Sequence, residues 1–161
     1  KEHSIKAKPG QYLTFQLMNE QYGVAIETVR EINQFGEITP VPKTPDYVKG
    51  VMNLRGKIIP VVNLRVKFGM NPKETTRDTC IIVIDSEIGQ VGMIVDSVKE
   101  VIDLQDSQIE PAPSLGNHHA LSFVRGMGKV DNHVVILVDI ESAFTFEQMN
   151  VMAGFNKEQA A

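Results

Sequence analysis

The stretch YVKGVMNLRGKIIPVVNLRVKF, residues 47–68, decides the fold because the chain contains a second version of it. It matches FVRGMGKVDNHVVILVDIESAF, residues 123–144, without a gap at an offset of 76 residues (123 − 47). A second block, residues 23–32, matches residues 92–101 at an offset of 69 (92 − 23). Two matched blocks in the same order predict a duplicated unit, with halves of about 11–76 and 77–149 within one domain of residues 1–161.

Each half is predicted to consist mainly of strands joined by hairpins. The apolar, β-branched runs that indicate strands are 12–17, 58–62, 80–84, 91–95 and 134–138. Turn residues fall between paired runs at 19–20, 55–56, 88–89 and 131–132. Short strands with regular turns are typical of all-β barrels or sandwiches.

Helical signals are few. Asn63 and Asp139 are good N-cap residues for two short helices, and residues 142–152 are expected to extend the second one into a longer C-terminal helix. Phe144, Gln148 and Met152 stand at helical spacing in that stretch. Residues 1–10 and 156–161 are expected to be flexible tails.

Composition predicts a globular protein without a nucleic-acid partner. The 161 residues are 42% hydrophobic, which is enough to bury a core without metal or disulfide support. The net charge of −4 and the absence of a basic run argue against binding to a nucleic-acid backbone. Apolar runs are far shorter than the roughly 20 residues of a membrane span, so we expect a cytoplasmic protein that does not insert into the membrane. The single cysteine, Cys80, is expected to be a buried thiol.

The sequence does not predict an enzyme. The histidines His3, His118, His119 and His133 lack Cys or carboxylate partners at metal-ligand spacing. Nucleophile-elbow, phosphate-loop and dinucleotide-binding patterns do not occur. We therefore expect no catalytic residue, no metal and no cofactor.

Comparison of the two copies indicates which side chains are free to serve function. Residues 52–57 read MNLRGK in the first copy, and their equivalents 128–133 read GKVDNH, so the turn can form without an arginine. Arg55 is therefore a candidate binding residue with a side chain suited to a carboxylate, although an ordinary exposed arginine is an equally open reading. Glu31 recurs as Glu100, which favours a structural role. If the fold brings Glu31 to Arg55, we expect them to pair.

Residues 47–65 resemble the hallmark segment of the CheW family, the coupling proteins of bacterial chemotaxis. Residues 22–32 and 108–113 fit the same family, and the resemblance runs from about residue 11 to residue 149. One departure is Asn63, where the family usually has Asp; both residue types cap a helix.

The resemblance implies two five-stranded SH3-like β-barrels that exchange strands and have a groove between them. It also implies a non-catalytic adaptor that binds the cytoplasmic tip of chemoreceptors and the regulatory domain of the histidine kinase CheA. The implied receptor-contact residues are Val29, Glu31, Gly50, Asn53, Arg55, Ile81, Val98 and Val101. A core role is equally open for Ile81 and Val98. The kinase contact is expected near the exposed hairpins, without assigned residues.

Two alternatives stay open. The chain could be a CheW-like module of a larger kinase or of a receiver-fused coupling protein, although the absence of receiver or kinase sequence at its end makes the stand-alone adaptor our expectation. More remotely, a small β-barrel could bind single-stranded nucleic acid, which would require exposed aromatic residues beside basic ones.

Overall fold

The structure, a computed structural model, describes residues 7–112, 123–144, 148, 150–152 and 154. The chain is mainly β, as predicted. In chain order the strands are β1 (Gly10–Leu17), β2 (Glu20–Ala25), β3 (Val29–Gln34), β4 (Val48–Leu54), β5 (Lys57–Asn63), β6 (Cys80–Ser86), β7 (Gly89–Val95), β8 (Ser97–Leu104), β9 (Ile109–Glu110), β10 (Val124–Val130) and β11 (His133–Val138). A short helix, α1 (Leu64–Lys67), follows β5, and single 3₁₀ turns occupy Ile26–Thr28, Asp106–Gln108 and Ile140–Ala143.

The strands form two sheets, each of which takes strands from both copies of the duplicated sequence. One sheet has the order β3-β6-β7-β5-β4 and the other the order β8-β1-β2-β11-β10-β9. By the repeat alignment, β1 to β3 correspond to β6 to β8, and the hairpin β4–β5 corresponds to β10–β11. The duplication and the strand exchange implied by the family resemblance are therefore both present in the fold.

The two sheets belong to two compact units. Unit 1 comprises the described residues of Lys1–Glu27 and Val98–Ala143, and unit 2 those of Thr28–Ser97 and Phe144–Ala161. Inside each unit a parallel pair joins the copies: β5 pairs with β7, and β11 pairs with β2. A tight hairpin can connect only antiparallel neighbours, so a parallel neighbour has to come from elsewhere in the chain. In each unit the parallel partner strand comes from the other copy of the duplicated sequence.

Each unit has its own apolar core. The core of unit 2 is built on Ile59, Val61, Ile81, Val83 and Ile94. The core of unit 1 is built on Tyr12, Leu104, Ile109, Val135 and Leu137. Alternate residues of the strands point to the same face, so the β-branched runs seen in the sequence supply these inward-facing positions.

A crossing segment explains the glycine that both copies share. Thr39, in the proline-rich segment before β4, pairs with Val51 through two backbone hydrogen bonds of 2.8 and 2.9 Å. Gly50 has a φ of +152°, and a Cβ at this position would lie 2.2 Å from the carbonyl oxygen of Thr39. A Cβ at the equivalent position, Gly126, would lie 2.9 Å from the carbonyl oxygen of Glu110. The fold requires glycine wherever this segment crosses the hairpin.

Two of the four predicted turns are confirmed and two are displaced by one residue. The turns at 55–56 and 131–132 lie where the sequence predicts them, whereas the others occupy residues 18–19 and 87–88. Leu17 and Val91 are buried, and a one-residue slip would turn such side chains to the opposite face of the sheet. Burial therefore fixes the register, and Met18 takes the left-handed backbone (φ 56°) in place of Asn19.

The helix predictions are partly correct. Asn63 caps α1, since its Oδ1 accepts a hydrogen bond of 3.5 Å from the N–H of Val66. The segment after Asp139 is a 3₁₀ turn and not an α-helix, and Phe144 lies in a bend, so the two predicted parts do not form one continuous helix. Residues 148, 150–152 and 154 are helical. Met152 is buried in this stretch, as its helical spacing suggests.

Two smaller expectations change. Cys80 is half-buried rather than buried, and its thiol contacts the carbonyl oxygen of Asp78 at 3.3 Å. Of the predicted tails, residues 1–6 and 156–161 lie outside the described residues. Ala7 belongs to unit 1, because its N–H donates to the carbonyl oxygen of Arg125 at 2.9 Å.

Candidate functional site

The β4–β5 hairpin of unit 2 ends in a two-residue turn that displays Arg55. Leu54 and Lys57 form the closing pair, and Arg55 and Gly56 both have left-handed backbone, with φ of 54° and 85°. Two consecutive positive φ angles define a type I′ turn, which matches the twist of a hairpin. The Oδ1 of Asn53 accepts a hydrogen bond of 2.8 Å from the N–H of Gly56. Asn53 therefore shapes the turn from which Arg55 projects.

Arg55 pairs with Glu31 through two parallel hydrogen bonds. Its Nη1 donates to Oε2 of Glu31 and its Nη2 to Oε1, each at 2.7 Å. The guanidinium covers the carboxylate, so that 20% of the Glu31 side chain is exposed against 73% of the Arg55 side chain. This fork geometry is the strong form of an arginine–carboxylate contact. The pairing that the sequence raised as a possibility is confirmed.

The pair changes the protonation behaviour of both groups. The hydrogen bonds from Arg55 lower the pKa of the Glu31 carboxyl below its ordinary value, with smaller contributions from Asn33 and Arg30. The same bonds raise the pKa of the Arg55 guanidinium. Glu31 is therefore an anion at every physiological pH, and the exposed cationic edge of Arg55 faces solvent.

Of the other residues expected in unit 2, Val29 is half-buried at the start of β3, whereas two lie inside the unit. Gly50 is buried, and its contact with Thr39 accounts for it through the backbone alone. Ile81 is 0% exposed in the core. The core role that the sequence left open for Ile81 is the one it has.

The remaining expected residues, Val98 and Val101, lie on β8 of unit 1. Val98 is half-buried and Val101 is 48% exposed. Val98 is the repeat equivalent of Val29, and Val101 is that of Ile32, which is 44% exposed on β3. The two edge strands thus present apolar side chains at equivalent positions.

Sequence reasoning missed two exposed apolar positions. Ile58 on β5 is 40% exposed, and its repeat equivalent Val134 on β11 is 49% exposed. Their β-branched neighbours suggested a buried run. Alternation would not have found Ile58, because residues 59–62 of β5 are all buried.

The histidine, cysteine and carboxylate side chains of the described residues do not gather in groups that suggest a metal site. Within them no group of three or more His, Cys, Asp or Glu could hold a metal ion. His133 is exposed at the start of β11, and the other three histidines lie outside the described part of the chain. No helix in the described ranges is long and apolar enough to cross a membrane.

Two small β units, with sheets of five and six strands assembled from exchanged strands of one duplicated sequence, define a mainly β domain with an internal duplication. The chain belongs to the CheW-like domain family, whose model matches residues 11–148. It is 40% identical over 139 residues to the chemotaxis protein CheW of Klebsiella aerogenes, covering 86% of this chain and 84% of that protein. It is 34% identical over 136 residues to CheW of Rhizobium meliloti, covering 84% and 88%.

A solved structure shares the fold. The scaffolding protein TtCheW from Thermoanaerobacter tengcongensis matches with a TM-score of 0.79 and 34% identity, over 88% of this chain and 96% of that one. The family assignment and the mainly β fold predicted from the sequence are confirmed. The expected count of five strands per unit holds for unit 2, whereas the sheet of unit 1 has six because the short strand β9 joins it.

Proposed function

We propose that this protein is a chemotaxis adaptor that couples transmembrane chemoreceptors, the methyl-accepting chemotaxis proteins, to the histidine kinase CheA. The adaptor acts by binding alone, without a catalytic step or a cofactor. It works in the cytoplasm, at the inner face of the membrane, where receptors and kinase assemble into signalling arrays. The names of its relatives, chemotaxis proteins and a scaffolding protein, support this role.

The observation that carries the proposal is the exposed arginine at the β4–β5 turn. An arginine in left-handed backbone is an unfavourable choice for a turn, and the other copy forms its turn with Asp131. The bond to Glu31 holds the guanidinium in one place while most of it stays exposed. A preorganised, exposed fork of this kind suits a polar or acidic group on a partner protein.

We propose that the receptor tip contacts unit 2 at the Glu31–Arg55 pair, Val29 and Asn53. For unit 1, taken by itself, the family resemblance implies receptor contacts at Val98 and Val101. A receptor tip is a helical hairpin, and a helix binds through apolar anchors flanked by polar contacts. The half-exposed valines supply the anchors, and the ion pair supplies the polar contact. We expect the kinase regulatory domain to bind near the exposed hairpins, without assigned residues.

The test is calorimetric binding of the purified chain to a receptor cytoplasmic fragment and, separately, to a CheA regulatory domain. We expect both to bind, and binding to neither would refute the proposal. Arg55→Glu should weaken receptor binding and leave the thermal unfolding temperature nearly unchanged. Lys57→Glu, an equal charge change at the neighbouring strand position, is the control and should affect receptor binding much less.

A further inference from the structure

The Arg55–Glu31 pair of unit 2 has no counterpart in unit 1, although the positions are equivalent. Glu31 corresponds to Glu100, whereas Arg55 corresponds to Asp131. Unit 1 therefore has two carboxylates where unit 2 has an arginine and a carboxylate. The difference extends to the whole unit: Lys1–Glu27 and Val98–Ala143 contain 6 Lys and Arg against 10 Asp and Glu, which accounts for the net charge of −4.

Two hydrogen bonds with a buried side chain hold the backbone of Glu100 in place. The hydroxyl of the buried Thr14 donates to its carbonyl oxygen at 2.8 Å and accepts from its N–H at 3.0 Å. The side chain is nevertheless exposed, in contrast to that of Glu31, which is covered by Arg55. Neither Glu100 nor Asp131 has a side-chain hydrogen bond or ion pair with any described residue. An exposed carboxylate on a firmly held strand position thus remains uncovered where the sister unit binds a guanidinium.

Nearby cations of unit 1 are engaged elsewhere. Lys129 pairs with Glu110 at 2.9 Å, and Arg125 pairs with Asp139 at 3.0 Å. Lys99 precedes Glu100 on β8, but adjacent strand residues point to opposite faces, which keeps its ammonium from covering the carboxylate. The described residues of unit 1 therefore do not supply the missing cation.

We propose that Glu100, assisted by Asp131, binds an arginine side chain of the receptor tip. The inference rests on the proposed receptor coupling and adds the chemistry of the contact: the receptor supplies to unit 1 the guanidinium that Arg55 supplies to unit 2. Arginine fits better than lysine, because its planar fork can bind both oxygens of one carboxylate, as Arg55 does with Glu31. Val98, two residues away on β8, provides the apolar contact beside it.

The test measures calorimetric affinity for a receptor cytoplasmic fragment whose tip arginines are replaced by glutamate one at a time. Glu100→Gln should weaken binding of the unaltered fragment about 10-fold, the range expected for a lost charge-assisted contact, and should reduce its dependence on salt. The chain variant Glu100→Arg should recover affinity with one of the arginine-to-glutamate fragments. Asp103→Asn removes the same charge from another exposed position of β8 and should change affinity less than 2-fold.

The outcomes separate this inference from the proposed function. If the unaltered chain does not bind the receptor fragment, both fail. If it binds and Glu100→Gln binds equally well, or if no charge exchange restores affinity, the arginine site is refuted and receptor coupling stands. Binding to the CheA regulatory domain should be the same for Glu100→Gln and the unaltered chain; a loss confined to the kinase would also overturn the inference. Unchanged thermal unfolding of Glu100→Gln checks that the variant is folded.

Discussion

Arg55 and Asp131 hold the same left-handed backbone, with φ of 54° and 53°, at the tips of equivalent hairpins. Asp and Asn reach this conformation with little penalty because their short polar side chains bond locally, whereas arginine has no such compensation. The second copy therefore has at this position a residue that favours left-handed backbone, Asp131, and the first copy has one that does not, Arg55. A residue kept against its local preference is a candidate for function.

Replacing Arg55 with Asn should separate stability from binding. Asn followed by Gly56 is the preferred pair for a type I′ turn, so the thermal unfolding temperature should stay the same or rise slightly despite the lost ion pair. Affinity for a receptor cytoplasmic fragment should fall about 10-fold, as for a typical binding hot spot. Differential scanning calorimetry and titration calorimetry on one sample measure both effects.

Asp131→Asn is the matched variant at the other hairpin tip. It keeps the left-handed preference and removes one charge from unit 1, so its unfolding temperature should also stay nearly constant. A clear loss of stability in Arg55→Asn would mean that the arginine holds the hairpin together and that its exposure has no functional meaning.

The Glu31 carboxyl should titrate below an ordinary glutamate because Arg55 donates both hydrogen bonds to its charged form. The folded pKa is lowered relative to the unfolded chain. The contribution of the pair to stability is therefore complete above the unfolded pKa of about 4.3 and is lost as pH falls through the folded pKa. NMR detection of the side-chain carboxyl carbon against pH measures the titration directly.

In Arg55→Gln the same carboxyl should titrate near the ordinary glutamate value, since its main bonding partner is gone. The Glu110 carboxyl, whose pKa is lowered by Lys129, is an internal reference and should not move. An unshifted Glu31 in the unaltered chain would show that the pair does not persist in solution.

Much of the fold was predictable because it depends on patterns that a single sequence contains. Equivalent blocks gave the duplication, and the β-branched runs gave the strands that carry them. The comparison of Arg55 with Asp131 identified the displayed arginine before its geometry was known. Glu31 recurs as Glu100, so the comparison of the copies favoured a structural role for it and left its pairing with Arg55 as a possibility.

Other features depend on neighbours that are distant in sequence. The family resemblance implied Gly50 as a contact residue, and nothing in its own segment reveals the Thr39 carbonyl that crosses it. Ile81 is a core residue for a similar reason: its β-branched side chain suits both a surface and an interior, and only the pairing of β6 with β7 decides. The turn at 18–19 is set by the burial of Leu17 and not by turn propensity, which favoured Asn19.

Gly50→Ala should destabilise the protein strongly. Its Cβ would lie 2.2 Å from a backbone oxygen, and the φ of +152° is unfavourable for any L side chain. Strain and clash together should cost about 3 kcal/mol or more and lower the unfolding temperature by about 10 °C. Gly69→Ala is the control, because it has a positive φ of 82° but open space around the Cβ, and should cost about 1 kcal/mol. Equal losses in the two variants would mean that Thr39 moves aside in solution.

The largely buried ion pair of unit 2, Arg65 with Asp96, should contribute to stability and not to receptor binding, whereas the exposed Arg55–Glu31 pair should contribute mainly to binding. Its two hydrogen bonds are 2.7 and 2.5 Å, and the side chains are 13% and 12% exposed. Arg65 belongs to α1 in the first copy, and Asp96 follows β7 in the second, so the pair fastens the two copies where they meet inside unit 2. Breaking a largely buried pair leaves one charge without its partner, and we expect Arg65→Met to cost about 2–3 kcal/mol in a urea unfolding experiment.

The double variant Arg65→Met with Asp96→Leu distinguishes a stranded charge from a lost attraction. Because replacement of both charges removes the desolvation cost along with the attraction, the double variant should recover a large part of the stability that either single variant loses. Additive losses would instead mean that the bonds themselves stabilise unit 2.

Receptor affinity should be nearly unchanged in all three variants at temperatures where they are folded. The Arg65–Asp96 pair is largely buried, and Arg55 and Glu31 retain their contact in each variant. A loss of receptor affinity in folded Arg65→Met would place the binding surface at this junction.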